Sequence, residues 1–317
     1  MIINFFGEKP LEPEELKEKY KGVQVVMVTP FNNDFSLDEE GLRQNTRSLI
    51  DSGVHVLHPT GSTGEFWNLT PEEHMRVLET VVDETNGRIP VVPGTGYSGT
   101  KQTIEISKYA EEVGADGVLV VPPYYVTVTP EGVYEHYKAL AESIKIGIIV
   151  YNNPAMTKIS LASNLLAKLA EIPNIVGVKD TTVNFLEVAQ HLHLLGDRLR
   201  FSVGLEPQAP YFYLAGGKGC VSELANFAPQ IPLEMYRTAT EKNWKGAMEI
   251  QHKLEPYYEF VDRKSRESGG MLWITIVKEA MKLLKLPGWP PRKPLLPLRD
   301  DDLKELREIL KKIGLRV

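Results

Sequence analysis

Short apolar runs rich in Val, Ile and Leu alternate along the chain with segments whose apolar residues recur at helical spacing. The runs return at intervals of about 30 residues, roughly the length of one strand followed by one helix. The eight runs occupy residues 23–28, 54–58, 90–92, 117–121, 146–151, 175–178, 199–203 and 219–221. This pattern predicts repeated strand-helix units whose parallel strands are buried on both faces.

Helix-start signals stand between the runs. Thr70 precedes Pro71 and Thr129 precedes Pro130; a Thr hydroxyl can accept from the first free amides, and Pro suits the first helical position. Parallel strands joined by helices form either an open doubly wound sheet or a closed barrel. Eight units in succession favour the closed (β/α)8 TIM barrel.

The strand pattern stops near residue 243. Three helical patterns follow, at residues 244–261, 270–286 and 300–313, with a Pro-rich connector over 287–294 that cannot be helical. The first residues are charged and contain prolines. We therefore predict an N-terminal extension (1–20), a catalytic barrel (21–243) and a small C-terminal all-helical domain (244–317).

Composition narrows the function classes. The 317 residues are 42% hydrophobic and 25% charged, the balance of an ordinary globular chain. A net charge of −6 without a basic block argues against nucleic acid. The apolar runs are too short to span a bilayer and residues 1–20 lack a signal-peptide pattern, so we expect a cytoplasmic protein without a membrane partner. The single cysteine, Cys220, excludes an internal disulfide.

Chemistry is expected where the strands end, because the carboxyl ends of the strands form the mouth of such a barrel. Ser62 and Thr63 follow the second run within Gly-Ser-Thr-Gly-Glu, a loop that suits a carboxylate or phosphate, although a capped turn explains it equally well. Tyr125 follows the fourth run, and Tyr151 ends the fifth. Buried tyrosines usually only pack, but a phenol at the mouth can also transfer protons.

Lys179 directly follows the sixth run. A lysine in such a place is usually exposed. If it lies instead in a desolvated barrel mouth, its ammonium loses protons more easily, and the neutral amine can attack a ketone to form a Schiff base. The resulting iminium withdraws electrons and allows carbon-carbon cleavage, carbon-carbon formation or loss of water.

These elements, in this order, resemble the dihydrodipicolinate synthase and N-acetylneuraminate lyase family of class I aldolases and dehydratases. The resemblance runs from about residue 21 to the C-terminus. It rests on Gly61-Ser62-Thr63-Gly64-Glu65, Tyr151-Asn152 with Pro154, Gly177-Val178-Lys179-Asp180, Gly216-Gly217-Lys218-Gly219, and Arg292 with Pro294-Leu295-Leu296-Pro297.

The resemblance implies a Schiff base between Lys179 and pyruvate or another 2-oxo acid, with Tyr151 as proton relay and no organic cofactor or metal. It also implies that Ser62 and Thr63 hold the carboxylate of that acid and connect to the relay. Tyr125 corresponds to a tyrosine that crosses a subunit interface, so a homotetramer, a dimer of dimers, is expected. We further expect the substrate site to include Gly61, Thr181, Glu206 and Val221.

One departure bears on the second substrate. The lysine-biosynthetic synthases carry an arginine five residues after the relay tyrosine, where this chain has Met156. A thioether cannot pair with a carboxylate, although Lys158 offers a possible substitute. This loop, and Ser62 where the synthases have Thr, are more similar to the sialic-acid lyases and 2-keto-3-deoxy sugar acid aldolases or dehydratases.

The sequence therefore favours a lyase for pyruvate or a 2-keto-3-deoxy acid, whose second substrate is a polyhydroxylated or otherwise non-carboxylate aldehyde. A 4-hydroxy-tetrahydrodipicolinate synthase, using pyruvate and aspartate semialdehyde, is the alternative. Glu206 and Glu223 could bind sugar hydroxyls or assist dehydration, or could be ordinary acids at helix N-termini.

Other protein classes fit less well. Residues 94–99 read Gly-x-Gly-x-x-Gly, but the acid expected to hold a ribose is absent from the end of the next run, where Asp116 stands at the beginning. A catalytically silent 2-oxo acid binding protein conflicts with intact Lys179 and Tyr151. Histidine metal sites are disfavoured because His55 and His58 point to opposite faces of one strand, and His191 and His193 diverge on a helix.

Overall fold

Seven parallel strands form the centre of the molecule in a computed structural model that describes residues 10–270 and 272–317. The sheet order is β2-β1-β7-β6-β5-β4-β3. The strands are β1 Gly22–Val26, β2 Val56–His58, β3 Gly117–Val120, β4 Gly147–Asn152, β5 Ile175–Asp180, β6 Arg200–Val203 and β7 Gly219–Ser222. Seven of the eight predicted runs each overlap one of these strands.

The remaining run, residues 90–92, does not form a regular strand, so its prediction as a strand is wrong in detail. The segment still closes the sheet between β2 and β3 through single parallel bridges, Leu57 to Val91 and Gly94 to Leu119. Pro90 and Pro93 lack the N–H groups that a continuous ladder requires. The barrel is thus closed by an eighth, proline-interrupted segment, and the predicted (β/α)8 architecture is confirmed.

Helices surround the strands. They are α1 Pro13–Lys19, α2 Glu39–Asp51, α3 Pro71–Thr85, α4 Thr100–Glu112, α5 Pro130–Ala141, α6 Pro154–Thr157, α7 Ser163–Leu169, α8 Phe185–Leu195, α9 Ala209–Leu214, α10 Gln230–Thr240, α11 Trp244–Ser268, α12 Leu272–Leu283 and α13 Asp300–Lys312. Short 3₁₀ turns cover Phe66–Asn68, Glu206–Gln208 and Leu224–Asn226. Thr70 and Thr129 cap α3 and α5, as their sequence positions predict.

The predicted N-terminal extension includes α1, while its residues 1–9 lie outside the described part of the chain. Leu16 and Tyr20 are fully buried inside the barrel with Val56, Leu119 and Ile149. Leu16 lies so close to two strand starts that a Cβ at Gly117 or Gly147 would meet its Cδ2 at 2.4 or 2.7 Å. The helix α1 therefore closes the amino-terminal end of the barrel.

The C-terminal segment is helical, as predicted, but α11 continues seven residues beyond the predicted end at residue 261. Those residues lack apolar periodicity. They are held by helical charge pairs instead, Arg266 with Asp262 and Arg263 with Glu267, and the helix ends at Gly269 with φ 75°. No helix of the described residues is both long and apolar enough to cross a membrane.

Candidate active site

Lys179 lies inside the barrel near the carboxyl end of β5, with only 4% of the residue exposed. In register it stands between Tyr151 on β4 and Ser202 on β6. Its Nζ lies 4.1 Å from the centroid of the Tyr151 ring. The structure thus brings together the lysine and the phenol that the sequence singles out. Unlike most lysines, Lys179 is buried.

Room for the Lys179 side chain depends on Gly204, which sequence analysis missed. A Cβ at this position would meet Thr181 Oγ1 at 2.1 Å and Lys179 Cε at 3.1 Å. The Thr181 hydroxyl is buried and has no hydrogen-bond partner among the described residues. The predicted Thr181 therefore lies beside the Lys179 chain, with a free hydroxyl.

Asp180 points away from the barrel interior, since alternate residues of a strand face opposite sides. Its carboxylate lies 2.8 Å from His191 Nδ1 on α8 and accepts hydrogen bonds from Asn152 Nδ2 at 3.1 Å and Thr182 Oγ1 at 2.6 Å. All four residues are buried. This network ties the ends of β4 and β5 together, and so fixes Lys179 next to Tyr151. His191, weighed above only as a metal ligand, has this role instead.

The Tyr151 hydroxyl accepts a hydrogen bond from Asn153 Nδ2 at 2.9 Å. Within the described residues, no hydrogen bond joins this hydroxyl to Ser62 or Thr63, the connection that the resemblance implies. Ser62 lines the same cavity as Tyr151, whereas the buried Thr63 is not among the lining residues. Sequence analysis missed Asn153 as a site residue, because the sequence around an Asn at a strand end does not indicate its hydrogen-bond partner.

A cavity of about 240 Å³ opens beside Tyr151. Its polar groups come from Thr60, Gly61, Ser62, Tyr151 and Asn153. Its other walls are apolar or aromatic: Phe66, Trp67, Leu119, Val121, Tyr124, Met156, Gly94 and Gly96. No Lys, Arg, Asp or Glu of the described chain lines it. Met156 therefore faces the cavity, while Lys158 is exposed at the end of α6 and does not replace the missing arginine there.

The loop that carries Ser62 is packed closely against β1. A Cβ at Gly61 would meet Val26 Cγ2 at 2.7 Å, and one at Gly64 would meet the Met27 carbonyl oxygen at 2.9 Å. Glu65 has a left-handed backbone, with φ 55°. These glycines keep the Ser62 backbone close to the end of β1, as the cradle interpretation requires.

Glu65 anchors this loop to the C-terminal helices. Its Oε1 lies 2.5 Å from Lys278 Nζ on α12, and its Oε2 accepts from the Arg292 backbone N–H at 3.2 Å. Lys278 also donates to the carbonyls of Thr29 and Pro290. Burial lowers the pKa of Lys278 to about 8. Sequence analysis missed Lys278, because its partner lies more than 200 residues earlier in the chain.

Arg292, part of the resemblance, has its guanidinium NH groups engaged elsewhere, while its Nε is buried without a hydrogen-bond partner among the described residues. Its guanidinium makes a two-pronged pair with the Glu73 carboxylate at 2.7 and 2.8 Å, donates to the Asn68 carbonyl at 3.0 Å and lies over the Phe31 ring. It does not line the cavity. Its contacts join the Pro-rich connector to the start of α3.

Two acids, the buried Glu206 and the partly buried Glu223, follow β6 and β7. The Glu206 carboxylate accepts from Ser222 Oγ and from the Leu224 N–H, and burial raises its pKa to about 7. Burial and the charge of Glu206 raise the pKa of Glu223 to about 8, while the Lys179 charge opposes that rise. Neither lines the cavity, so the structure does not place them on a sugar there. The predicted Val221 is buried in β7, one residue before Ser222.

Buried polar side chains form a chain of contacts in the barrel interior, next to Lys179. His58 Nδ1 lies 2.7 Å from the Val92 carbonyl oxygen, and its Nε2 lies 3.2 Å from Gln24 Oε1; Gln24 in turn donates to Ser202 Oγ at 2.7 Å. Burial, and secondly the Lys179 charge, lower the pKa of His58 to about 3. This histidine is therefore neutral: its single N–H serves one of these two acceptors, and the Tyr20 hydroxyl, 3.4 Å from Nε2, can donate when that nitrogen is unprotonated. The described residues contain no group of three or more His, Cys, Asp or Glu arranged for a metal ion.

Two sequence hypotheses have a structural outcome here. Tyr125 is 85% exposed and stays outside the cavity of its own chain, where Tyr124 stands instead.

The Gly-x-Gly-x-x-Gly segment is used for packing: Cβ atoms at Gly94 and Gly96 would collide with Thr60 and Val121. Asp116 accepts from the backbone of Leu11 and Val91 at the opposite end of the barrel, so it cannot hold a ribose at this mouth.

Comparison with known proteins covers nearly the whole chain. The sequence model of the dihydrodipicolinate synthetase family matches residues 19–313. A 4-hydroxy-tetrahydrodipicolinate synthase of Methanopyrus kandleri is 37% identical over 297 residues, which is 93% of this chain and 97% of that protein.

Solved structures are equally similar. A chloride-inhibited dihydrodipicolinate synthase from Acinetobacter baumannii, crystallised with pyruvate, superposes with a TM-score of 0.86 at 33% identity, over 93% of this chain and 99% of that one. A monomeric dihydrodipicolinate synthase variant gives a TM-score of 0.87 at 30% identity, over 95% and 99% of the two chains.

Proposed function

Because this chain belongs to the dihydrodipicolinate synthetase family, we propose that it is an aldolase-type lyase in which Lys179 forms a Schiff base with pyruvate or a closely related 2-oxo acid. One observation carries the proposal: a lysine buried in the barrel, with its Nζ 4.1 Å from the Tyr151 ring and no salt bridge to an acid of the described residues. The neutral amine is the form of a lysine that attacks a ketone. Family membership agrees with a reaction that needs no external cofactor.

The steps follow from the groups around Lys179. The amine attacks C2 of the 2-oxo acid, water leaves and an iminium forms. The iminium accepts electrons when C3 loses a proton, which gives an enamine nucleophile. Tyr151, with Asn153 donating to its oxygen, carries the protons. Ser62 and the backbone of Gly61 hold the carboxylate.

The relatives favour one substrate pair over another. They are named 4-hydroxy-tetrahydrodipicolinate synthases, which supports the alternative function from the sequence analysis better than a lyase for sugar acids. The structure found with pyruvate supports pyruvate as the first substrate. The synthase is therefore the second candidate function, and it differs from the first only in naming aspartate semialdehyde as the acceptor.

Trapping tests the Schiff base directly. The protein is incubated with pyruvate and borohydride, and the adduct is located by mass spectrometry of peptides. We expect one adduct, on Lys179, which is lost in Lys179→Ala and retained in Lys158→Ala, the control that removes an exposed lysine near the same mouth. An adduct elsewhere, or none with any 2-oxo acid, would exclude the mechanism. An adduct without turnover of any aldehyde would indicate the silent binding protein.

A further inference from the structure

The cavity beside Tyr151 has a polar side and a broad apolar side. Thr60, Ser62, Tyr151 and Asn153 supply the polar side, next to Lys179. Opposite them stand Phe66 and Tyr124, whose rings meet edge to face at 6.0 Å, with the other apolar lining residues Trp67, Leu119, Val121 and Met156. The three-carbon acid needs only the polar side. The second substrate must therefore lie against the aromatic and aliphatic wall.

This wall lacks what a carboxylate requires. The lining contains no cationic side chain of the described residues, and a buried carboxylate without a partner is costly. Besides Lys179, which carries pyruvate, two cations stand nearby in sequence or space, and neither is available. Lys158 is exposed outside the cavity, and Arg292 is bound to Glu73 and two backbone carbonyls.

A polyhydroxylated chain fits no better. Each hydroxyl needs a hydrogen-bond partner when it leaves water. The polar groups of the cavity are concentrated on the side that pyruvate and the aldehyde oxygen occupy, and the opposite wall offers a chain of several hydroxyls only the Trp67 indole N–H, which is buried without a partner, and the Tyr124 hydroxyl. A ligand against this wall gains binding free energy from apolar contact, and an aromatic ligand gains more from edge or face contacts of its ring.

From these observations we infer that the second substrate is an aryl aldehyde without a carboxylate, bound with its ring against Phe66, Tyr124 and Met156. The inference rests on the Schiff base proposed above and extends it by naming the acceptor. The cavity of about 240 Å³ exceeds the roughly 150 Å³ of an apolar cavity that accommodates benzene, and the difference is the space left for pyruvate.

The reaction balances without an oxidant or a reductant. C3 of the Lys179-bound enamine bonds to the aldehyde carbon, and the aldehyde oxygen takes a proton from Tyr151. The nitrogen is then an iminium again, and water hydrolyses it to the free lysine and a 4-aryl-4-hydroxy-2-oxo acid. The reverse sequence cleaves the same acid to pyruvate and the aryl aldehyde.

The test compares acceptors on one preparation. Pyruvate is supplied with benzaldehyde, hexanal, glyceraldehyde or aspartate semialdehyde, and product is followed by mass spectrometry together with pyruvate consumption. We expect kcat/KM for benzaldehyde to exceed that for glyceraldehyde and for aspartate semialdehyde by about tenfold or more. A preference for either of these two, or for hexanal, or no turnover of benzaldehyde, would overturn the inference.

Borohydride trapping of pyruvate in the same preparation separates the two proposals. An adduct on Lys179 with the wrong acceptor preference contradicts only the aryl assignment, whereas a missing adduct contradicts the Schiff base and the aryl assignment with it. Met156→Arg should shift the benzaldehyde to aspartate semialdehyde ratio of kcat/KM toward the latter by about tenfold. Met156→Leu, which keeps the wall apolar, should leave that ratio near the parent value, and equal ratios in both variants would exclude the wall contact.

Discussion

Lys278 on α12 and Glu65 in the loop after β2 form a fully buried ion pair, with 2.5 Å between Nζ and Oε1. The pair joins the C-terminal helices to the loop that carries Ser62. Lys278 also lies over the Phe31 ring, 4.4 Å from its centroid. The position of the proposed carboxylate cradle therefore depends on a residue far outside the barrel sequence.

Removal of one partner should be costly. Lys278→Met leaves the Glu65 carboxylate buried without its cation, and we expect a loss of about 3–5 kcal/mol in the free energy of unfolding. Urea denaturation measures it. Lys304→Met, which removes an exposed pair with Asp301, should cost no more than about 1 kcal/mol. Equal losses in the two variants would contradict a structural role for the buried pair.

Glu206 should make stability depend on pH. Its folded pKa of about 7 lies above its ordinary value of 4.5, so between these pH values the folded chain retains a proton that the unfolded chain has lost. The free energy of unfolding should therefore fall as the pH rises through this window, by up to about 1.4 kcal/mol per pH unit for a whole proton.

Glu206→Gln removes this proton difference, so denaturation midpoints measured between about pH 5 and about pH 7 should change less with pH than in the parent. Glu249→Gln, at an exposed position of α11, should keep the parent slope. If the denaturation midpoint of Glu206→Gln changed with pH as steeply as that of the parent, the Glu206 carboxyl of the parent would already be ionised in the folded protein.

Asn153 should act through Tyr151. Its amide donates to the phenol oxygen of the proposed relay and so orients it; Asn153→Val should therefore lower kcat by about tenfold and leave the KM for pyruvate nearly unchanged. Tyr151→Phe should cost about 10² to 10⁴ in kcat. A raised KM with an unchanged kcat would contradict a role of Asn153 through Tyr151.

Tyr125 should act on a neighbouring subunit. It is 85% exposed and Val126 beside it is 55% exposed, so both are free to pack against a second copy. We expect a homotetramer by light scattering, and Tyr125→Ala should lower kcat about tenfold without changing the circular dichroism spectrum. Because a monomeric variant is known in the family, a fully active monomer here would refute this role.

The sequence predicts most of the scaffold, because buried parallel strands and capped helices leave local patterns at every repeat. It fails at residues 90–92, where prolines break the ladder but not the apolar pattern, and at the end of α11, where charge pairs replace apolar periodicity. Lys179 and Tyr151 could be singled out from their places at strand ends. Their supports could not, since Asn153, His191, Gly204 and Lys278 have ordinary sequence surroundings, and their importance depends on packing in three dimensions.

The closed floor of the barrel has a kinetic consequence. With Leu16 and Tyr20 filling the amino-terminal end, the mouth is the opening through which both reactants and products pass. The enamine exists only after pyruvate has reacted with Lys179, so an aldehyde that arrives first occupies the shared cavity without a nucleophile to attack it. Pyruvate must therefore bind first, and excess aldehyde should inhibit competitively against pyruvate, a pattern that initial-rate measurements can detect. The helix α1, remote from any reacting atom, thereby makes both reactants compete for one entrance.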